Sequence, residues 1–240
     1  GNHFYFYGNT HIWEKEPDYP KGRKGLLIHR ARVAGGLITR EECESFLETT
    51  QLAYSSVNRV LEISTEPTVL QYDTDCYLLS EVLCIDADWQ AAVNRALTDL
   101  FEDRVFIILR DIKERWFEKL PPLPLGLSWT PRLLQDVLSH FKSIKYRTIL
   151  ALSGQSFDKL HAVIVPEGSQ IQTFADVVYE HLKATIELPH RRMDAEHLRL
   201  KLCEAGMIIG NELVYNMHKA LDDYRFAWSD ENRIVNINRV

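Results

Sequence analysis

The side chains most suited to chemistry in this chain of 240 residues are basic, and most lie between residues 130 and 159. Lysine and arginine donate to phosphate oxygens, while glutamine and arginine also pair with the edges of adenine and guanine. The stretch holds five basic and two acidic side chains and therefore indicates a contact with nucleic acid. The candidate residues are Arg132, Gln135, Lys142, Lys145, Arg147 and Lys159. An equally good interpretation of Lys142, Lys145 and Arg147 is a solvated helix end that balances the helix dipole.

A second basic cluster contains Arg191 and Arg192, preceded by His190 and followed by Arg199 and Lys201. The cluster lies between two predicted helices and has the charge to hold a phosphate backbone. A solvated turn explains the same residues. We include Arg191 and Arg192 among the candidate nucleic-acid-binding residues.

No other set of residues indicates catalysis. Asp73 and Asp75 lack the further oxygen ligands that calcium requires, and they suit a hairpin turn. His197 and Cys203 would face different directions on a helix, which argues against a zinc site. Cys43 lies on an apolar helix face, which favours a core residue over a nucleophile. We therefore expect no metal, no cofactor and no enzymatic activity, and we expect any catalytic domain to lie outside these residues.

The net charge of −6 is distributed unevenly. Residues 1–87 carry 8 basic and 13 acidic side chains (−5), residues 88–166 carry 11 and 9 (+2), and residues 167–240 carry 9 and 12 (−3). An acidic total argues against binding nucleic acid over the whole surface, but the middle segment has the balance for a local contact. The acidic first segment keeps a protein partner open as an alternative.

Membrane and secretion signals are missing from the sequence. No apolar run approaches the ~18 residues of a membrane span, and the first residues lack the pattern of a signal peptide. Four cysteines without C-x-x-C spacing favour free thiols in a reducing compartment. We expect an intracellular protein, in the cytoplasm or in the nucleoid or nucleus, that makes no membrane contact.

The elements that must position the basic residues follow a pattern that occurs three times. In the clearest copy, residues 39–83, a capping box at Thr39 and Glu42 opens a helix, and a second helix spans 55–63. Two apolar strands, 68–72 and 76–79, then flank a polar turn. Looser copies end at residues 148–165 and 224–237. Asp88, Thr130 and Asp194 are predicted helix caps, and residues 105–116 are predicted to form an apolar helix.

Repetition of helix, helix and hairpin resembles the winged-helix superfamily over residues 20–240. The resemblance implies a mainly α fold with small β-hairpins, built from three tandem winged-helix-like modules. The modules are 1–87 with an aromatic N-terminal strand, 88–166 as the most basic, and 167–240. The resemblance also implies that the helix before each hairpin enters the DNA major groove, and these helices are 55–63, 130–142 and 211–221.

We therefore expect a non-catalytic nucleic-acid-binding array within a larger regulatory or defence protein, with DNA as the ligand of the middle module. The alternative is a protein–protein interaction scaffold built from acidic winged helices, in which the first module binds the partner. The charge of the exposed helices distinguishes the two hypotheses.

Overall fold

The computed structural model describes residues 4–7, 11–14, 22–49, 69–149, 162–185, 191–208, 214–231 and 233–237. The helices among these residues are α1 (Gly22–Val33), α2 (Arg40–Thr49), α3 (Ala87–Phe101), α4 (Glu114–Phe117), α5 (Pro131–His140), α6 (Phe174–Thr185), α7 (Ala195–Glu204) and α8 (Val214–Ala220). The strands are β1 (Phe4–Tyr7), β2 (His11–Glu14), β3 (Leu37–Thr39), β4 (Val69–Asp73), β5 (Cys76–Leu79), β6 (Ile107–Ile108), β7 (Tyr146–Ile149), β8 (Val163–Pro166), β9 (Arg191–Asp194), β10 (Phe226–Ser229) and β11 (Ile234–Ile237). The chain divides into two compact units, Gly1–Trp89 with Pro122–His140, and Gln90–Pro121 with Phe141–Val240.

The first unit contains an antiparallel sheet in the order β3-β5-β4, and both faces of this sheet are covered. On one face, Ile38, Tyr77 and Leu79 join an apolar cluster with residues of α1 and α2, including Leu27 and Leu47. On the other face, Leu70 and Leu78 are fully buried, and α5 packs along β4. Successive residues of a strand point to opposite faces of the sheet, so a strand whose successive residues are all apolar needs packing on both faces.

Hydrogen bonds as well as apolar contacts fasten α5 to strand β4. The Gln71 N–H donates to the Asp136 carboxylate (2.6 Å), and the Thr130 hydroxyl donates to the Tyr72 carbonyl. The Tyr72 hydroxyl in turn donates to the Ser128 carbonyl (3.0 Å). Because β4 is an edge strand, these bonds pair backbone groups that the sheet itself leaves without a partner. Asp136 is a buried carboxylate whose place is explained by this bond.

The second unit contains two antiparallel sheets. In the sheet β6-β8-β7, Val163 and Val165 face a large apolar cluster that includes Val177 and Leu182 of α6. Alternation along β8 places Ile164, also fully buried, on the opposite face. On that side Tyr146 contacts the ring of Phe101 of α3 (5.0 Å between centroids). This sheet is therefore covered on both faces as well.

The third sheet, β10-β11-β9, buries only one face. Phe226, Val235, Ile237 and Met193 point into the apolar cluster of the second unit. The residues between them, at alternate positions, are exposed or half-buried: Arg192, Asp194, Ala227, Ser229, Ile234 and Asn236. A polar outer face of this kind is stable in water without a covering helix.

The predicted fold class is wrong. The described residues form a mixed α/β structure with three separate three-stranded antiparallel sheets, and a mainly α array of three tandem winged helices is not evident in them. Each predicted two-stranded hairpin gains a third strand, namely β3, β6 or β9. Helix α5, assigned to the middle module, belongs to the compact unit of the first sheet. The predicted module boundaries 1–87, 88–166 and 167–240 stay a prediction.

The apolar helix predicted over residues 105–116 is also wrong, because Ile107 and Ile108 pair with Ile164 and Val163 of β8 instead. A short helical turn and the four-residue helix α4 follow them. A strand of two residues is too short to show the alternation of apolar and polar residues that marks a strand. Ile107 and Ile108 therefore look like part of the apolar face of a helix. The predicted second helix, 55–63, lies outside the described residues.

The helix caps were predicted better than the strands. Thr39 and Glu42 form the capping box, with the Thr39 N–H donating to the Glu42 carboxylate (2.8 Å). Asp194 accepts from the Glu196 N–H (2.8 Å), and Thr130 accepts from the Leu133 N–H (3.1 Å). At α3 the cap is Asp86, which accepts from the Trp89 N–H, and the prediction of Asp88 is wrong.

Candidate nucleic-acid interface

The predicted nucleic-acid-binding residues fall in different parts of the structure. Arg132 and Gln135 lie on α5 in the first unit. Lys142 and Lys145 lie just before β7, and Arg147 lies in β7, in the second unit. The same unit contains Arg191 and Arg192 in β9. Lys159 lies outside the described residues.

Gln135 is buried, with 5% of its surface exposed. Its amide nitrogen donates to the Ser139 hydroxyl (3.0 Å), and its amide oxygen has no hydrogen-bond partner among the described residues. Burial continues along α5 from Leu133 to Leu138. An amide enclosed in this way does not reach a base edge, which requires an open side chain. Arg132, nearer the start of α5, is half-buried.

Lys142 and Lys145 are both exposed and occupy a short turn, residues 142–145, which we call the basic turn. Asn94 of α3 holds this turn through both ends of its side-chain amide. Its oxygen accepts from the Lys145 N–H (2.7 Å), and its nitrogen donates to the Ser143 carbonyl (3.3 Å). This one side chain therefore bonds the backbone at two points of the basic turn.

Further contacts of the same unit support the basic turn. Ile144, between the two lysines, is 2% exposed and anchors the turn in the protein. The Lys145 carbonyl accepts from the Glu167 N–H (2.7 Å), which continues the pairing of β7 with β8. One turn of helix after Asn94, the Thr98 hydroxyl lies 3.0 Å from the Tyr146 hydroxyl. The two lysine side chains thus extend from a backbone segment that is hydrogen-bonded to Asn94 and Glu167 and anchored by buried Ile144.

Arg147 is engaged inside the protein. Its guanidinium donates to the Ile171 carbonyl (2.5 Å) and to the side-chain oxygen of Gln172 (2.9 Å). These bonds connect β7 to the segment before α6. A guanidinium fork that already serves two acceptors has less capacity for a phosphate than a free one.

Arg192 lies on the outer face of the third sheet, directly opposite Asn236 of β11, and is exposed. Arg191 pairs with Ile237 through the backbone. Asp194 lies on the same outer face as Arg192 and is exposed. The carboxylate lowers the net positive charge of that face.

Sequence reasoning missed Asn94 and its neighbour Arg95. Arg95 follows Asn94 in α3 and is exposed. Within the described residues, none of Arg95, Lys142 and Lys145 forms an ion pair. Glu167 is exposed and contributes one negative charge close to Lys145, because its N–H donates to the Lys145 carbonyl. An asparagine inside a helix, where it is a poor helix former, was the signal available in the sequence.

The other candidate chemistry has structural explanations. Asp73 accepts from the Thr74 N–H (2.7 Å) and Asp75 pairs with Arg40 (3.1 Å), so both carboxylates organise the hairpin turn. Burial raises the pKa of the Cys43 thiol to about 12, which disfavours the thiolate that a nucleophile requires. The part of the chain that the structure describes contains no group of three or more side chains suited to hold a metal ion.

Comparison with protein families, with curated proteins and with solved structures returns no match for this chain. Among the described helices, none has the length and apolar character needed to cross a membrane.

Proposed function

We propose that this chain is a non-catalytic nucleic-acid-binding protein that contacts the phosphate groups of DNA through the basic turn. The observation that carries the proposal is the arrangement of Lys142 and Lys145. Both are exposed, neither forms an ion pair within the described residues, and Asn94 fixes the backbone between them. Exposed Arg95, next to Asn94, adds a third positive charge on α3.

Side chains of this kind bind phosphate by charge and release the counterions condensed on DNA. Three contacts give a log–log salt slope of about 2.7, at about 0.9 for each phosphate neutralised. Because the chain carries a net charge of −6, we expect weak binding that falls steeply with salt. All four cysteines are free thiols, which supports an intracellular location for such a protein.

The test is a titration of a labelled DNA duplex at two salt concentrations, roughly 50 and 200 mM. The test variant replaces Arg95, Lys142 and Lys145 by Ala. The matched control replaces Lys113, Arg115 and Lys119, which are also two lysines and one arginine, all exposed and in the same unit. We expect the test variant to bind more weakly with a slope flatter by up to about 2.7, and the control to resemble the wild type. Absence of wild-type binding at low salt, or equal loss in both variants, would refute the proposal.

A second candidate function is supported by the charge of α2 in the first unit. Glu41, Glu44 and Glu48 lie along one side of this helix and form no ion pair within the described residues. Glu42 is engaged in the capping box, whose bonds from Thr39 lower its pKa. An acidic stripe of this kind would bind a basic protein segment. A lysine-rich peptide should then bind the wild type and lose binding when the three glutamates are replaced by Gln.

A further inference from the structure

We propose that Asn94 is a positioning residue that presents Lys142 and Lys145 for contact with the phosphate backbone independently of base sequence. The inference rests on the proposed function and adds the ligand class, the sugar–phosphate backbone, and the residue that organises the site. Asn94 carries no charge, and its amide oxygen and nitrogen each bond to the backbone of the basic turn, so we assign it a positioning role.

The ordered backbone of the basic turn lowers the cost of binding. A flexible turn that carries two charges loses conformational freedom when both charges meet phosphates, and this loss weakens binding. Asn94 bridges the Ser143 carbonyl and the Lys145 N–H, and Ile144 between them is buried. The backbone of the turn is therefore ordered before the ligand arrives, so that only the lysine side chains must still be ordered.

The groups at the basic turn are poorly suited to recognising bases. Bidentate contacts with base edges require an open amide or guanidinium group. At the basic turn, the amide of Asn94 holds the backbone, and the guanidinium of Arg147 serves Ile171 and Gln172. The remaining groups, Lys142 and Lys145, are flexible point charges that suit phosphates and discriminate poorly between bases. Arg95, the exposed residue that follows Asn94 in α3, also carries a guanidinium group, and its part in base recognition is tested with Arg95→Ala.

The experiment measures affinity and salt slope for two DNA duplexes of different sequence, with wild type, Asn94→Ala, Asn94→Asp and Lys142→Ala/Lys145→Ala. Asn94→Ala removes no charge, so we expect both duplexes to bind about five- to tenfold more weakly with the salt slope unchanged. The double lysine variant should flatten the slope by about 1.8, at about 0.9 for each phosphate contact. Asn236→Ala, which removes an amide on the third sheet of the same unit, should leave affinity unchanged.

Folding is controlled by the melting temperature and by hydrogen exchange at the Lys145 N–H. Faster exchange at this group in a folded Asn94→Ala protein would confirm that the Lys145 N–H has lost the hydrogen bond that protects it. If Asn94→Ala fails to fold, Asn94→Asp serves instead, because it keeps an acceptor for Lys145 and lacks the donor to Ser143. We expect this variant to weaken binding to both duplexes by at least as much as Asn94→Ala, since it also adds a negative charge.

The possible failures are distinguishable. If the wild type binds and the folded Asn94 variants bind equally well, the inference is overturned and the proposed function stands. A preference of more than about tenfold for one duplex that disappears in Arg95→Ala would overturn sequence-independent binding, because Arg95 would then read bases. If the wild type does not bind at low salt, both proposals are overturned.

Discussion

The first sheet and the third sheet share an antiparallel three-stranded design but differ in what covers them. In the first sheet, residues on both faces are buried, such as Leu78 on one and Tyr77 on the other. In the third sheet, Val235 is buried on the inner face, while Asn236 beside it is half-buried on the outer face. The first sheet has apolar residues on both faces, and both faces are covered by other elements. The third sheet has polar residues on its outer face, and that face is open to solvent.

The two sheets also differ in how they are attached. Helix α5 packs along β4 of the first sheet, and the carboxylate of Asp136 in α5 accepts a hydrogen bond from the Gln71 N–H of β4. The third sheet is tied by charge at the start of β10, where Arg225 donates to Asp223 (2.6 Å) and to Asp176 of α6 (2.5 Å). The ring of Tyr179 lies under the same guanidinium at 5.1 Å. This difference gives predictions that separate the two sheets.

The largest effect is expected for a substitution on the covered second face of the first sheet. Leu78 is fully buried, so Leu78→Ala should lower the free energy of unfolding by about 2–5 kcal/mol. Ile234, on the outer face of the third sheet, is only half-buried, so Ile234→Ala should cost about 1 kcal/mol or less. Urea unfolding of both variants measures the difference. Equal losses would show that the two faces do not differ in cover.

A loss of about 3 kcal/mol is expected for Arg225→Ala, because two carboxylates of low exposure lose their positive partner. The control is Arg233→Ala, an exposed arginine next to the same sheet, for which we expect a change below about 0.5 kcal/mol. Chemical denaturation compares the two. A small effect for Arg225→Ala would mean that charge contributes little to the attachment of the third sheet.

Acid should weaken this attachment. Burial raises the pKa of Asp176, but the hydrogen bonds from Arg225, Gln172 and Thr173 outweigh burial and lower it below its ordinary 3.8. The bond from Arg225 likewise lowers the pKa of Asp223. A carboxylate whose pKa is lower in the folded state stabilises the fold above its unfolded pKa and loses that contribution as the pH falls through the folded pKa. Stability should therefore decline below about pH 4, and less steeply in Asp223→Asn.

A smaller effect is expected where α5 binds the edge of the first sheet. Asp136→Ala leaves the Gln71 N–H without its acceptor and should cost about 1–3 kcal/mol. Asp136→Asn should cost less, because an amide oxygen can still accept this bond. Thermal unfolding of both variants tests the order. If the Asn variant is the less stable one, the charge of Asp136 matters more than its hydrogen bond to Gln71.

The smallest effect is expected on the open face of the third sheet. Asn236→Ala and Arg192→Ala should each change stability by less than about 0.5 kcal/mol, because Arg192 is exposed, Asn236 is only half-buried, and polar surface side chains contribute little to folding. A loss above 1 kcal/mol for either variant would indicate that something covers this face in the folded protein.

Local patterns in the sequence predicted the strands and caps that depend on near neighbours. Strands β4 and β5 and strands β10 and β11 match the predicted hairpins within one or two residues, because alternation and turn residues act over short distances. Positions on apolar faces also predict that Trp116, Phe141, Phe174 and Trp228 are buried. Trp116 and Phe174 are buried as predicted, whereas Phe141 and Trp228 are only partly buried.

The short third strands escaped prediction because their pairing is not local. Strand β6 pairs with residues more than fifty positions later, and a sequence of two apolar residues does not indicate which strand it will pair with. The amphipathic pattern of residues 130–142 predicts a buried side with Leu134, Val137, Leu138 and Phe141, and Gln135 was assigned to the face that contacts DNA. Packing along β4 and the bond from Gln71 account for a buried Asp136, and the sequence around α5 gives no sign of them.

By itself, the sequence determined which residues carry charge and where the capping box of α2 forms. These properties follow from residue type and spacing alone. Only the tertiary structure decided that Lys142 and Lys145 stay exposed on a fixed turn while Arg147 bonds to Ile171 and Gln172. The reason is that an exposed charge needs no partner, whereas the bond from the Lys145 N–H to the Asn94 side chain depends on residues 51 positions apart meeting in the fold.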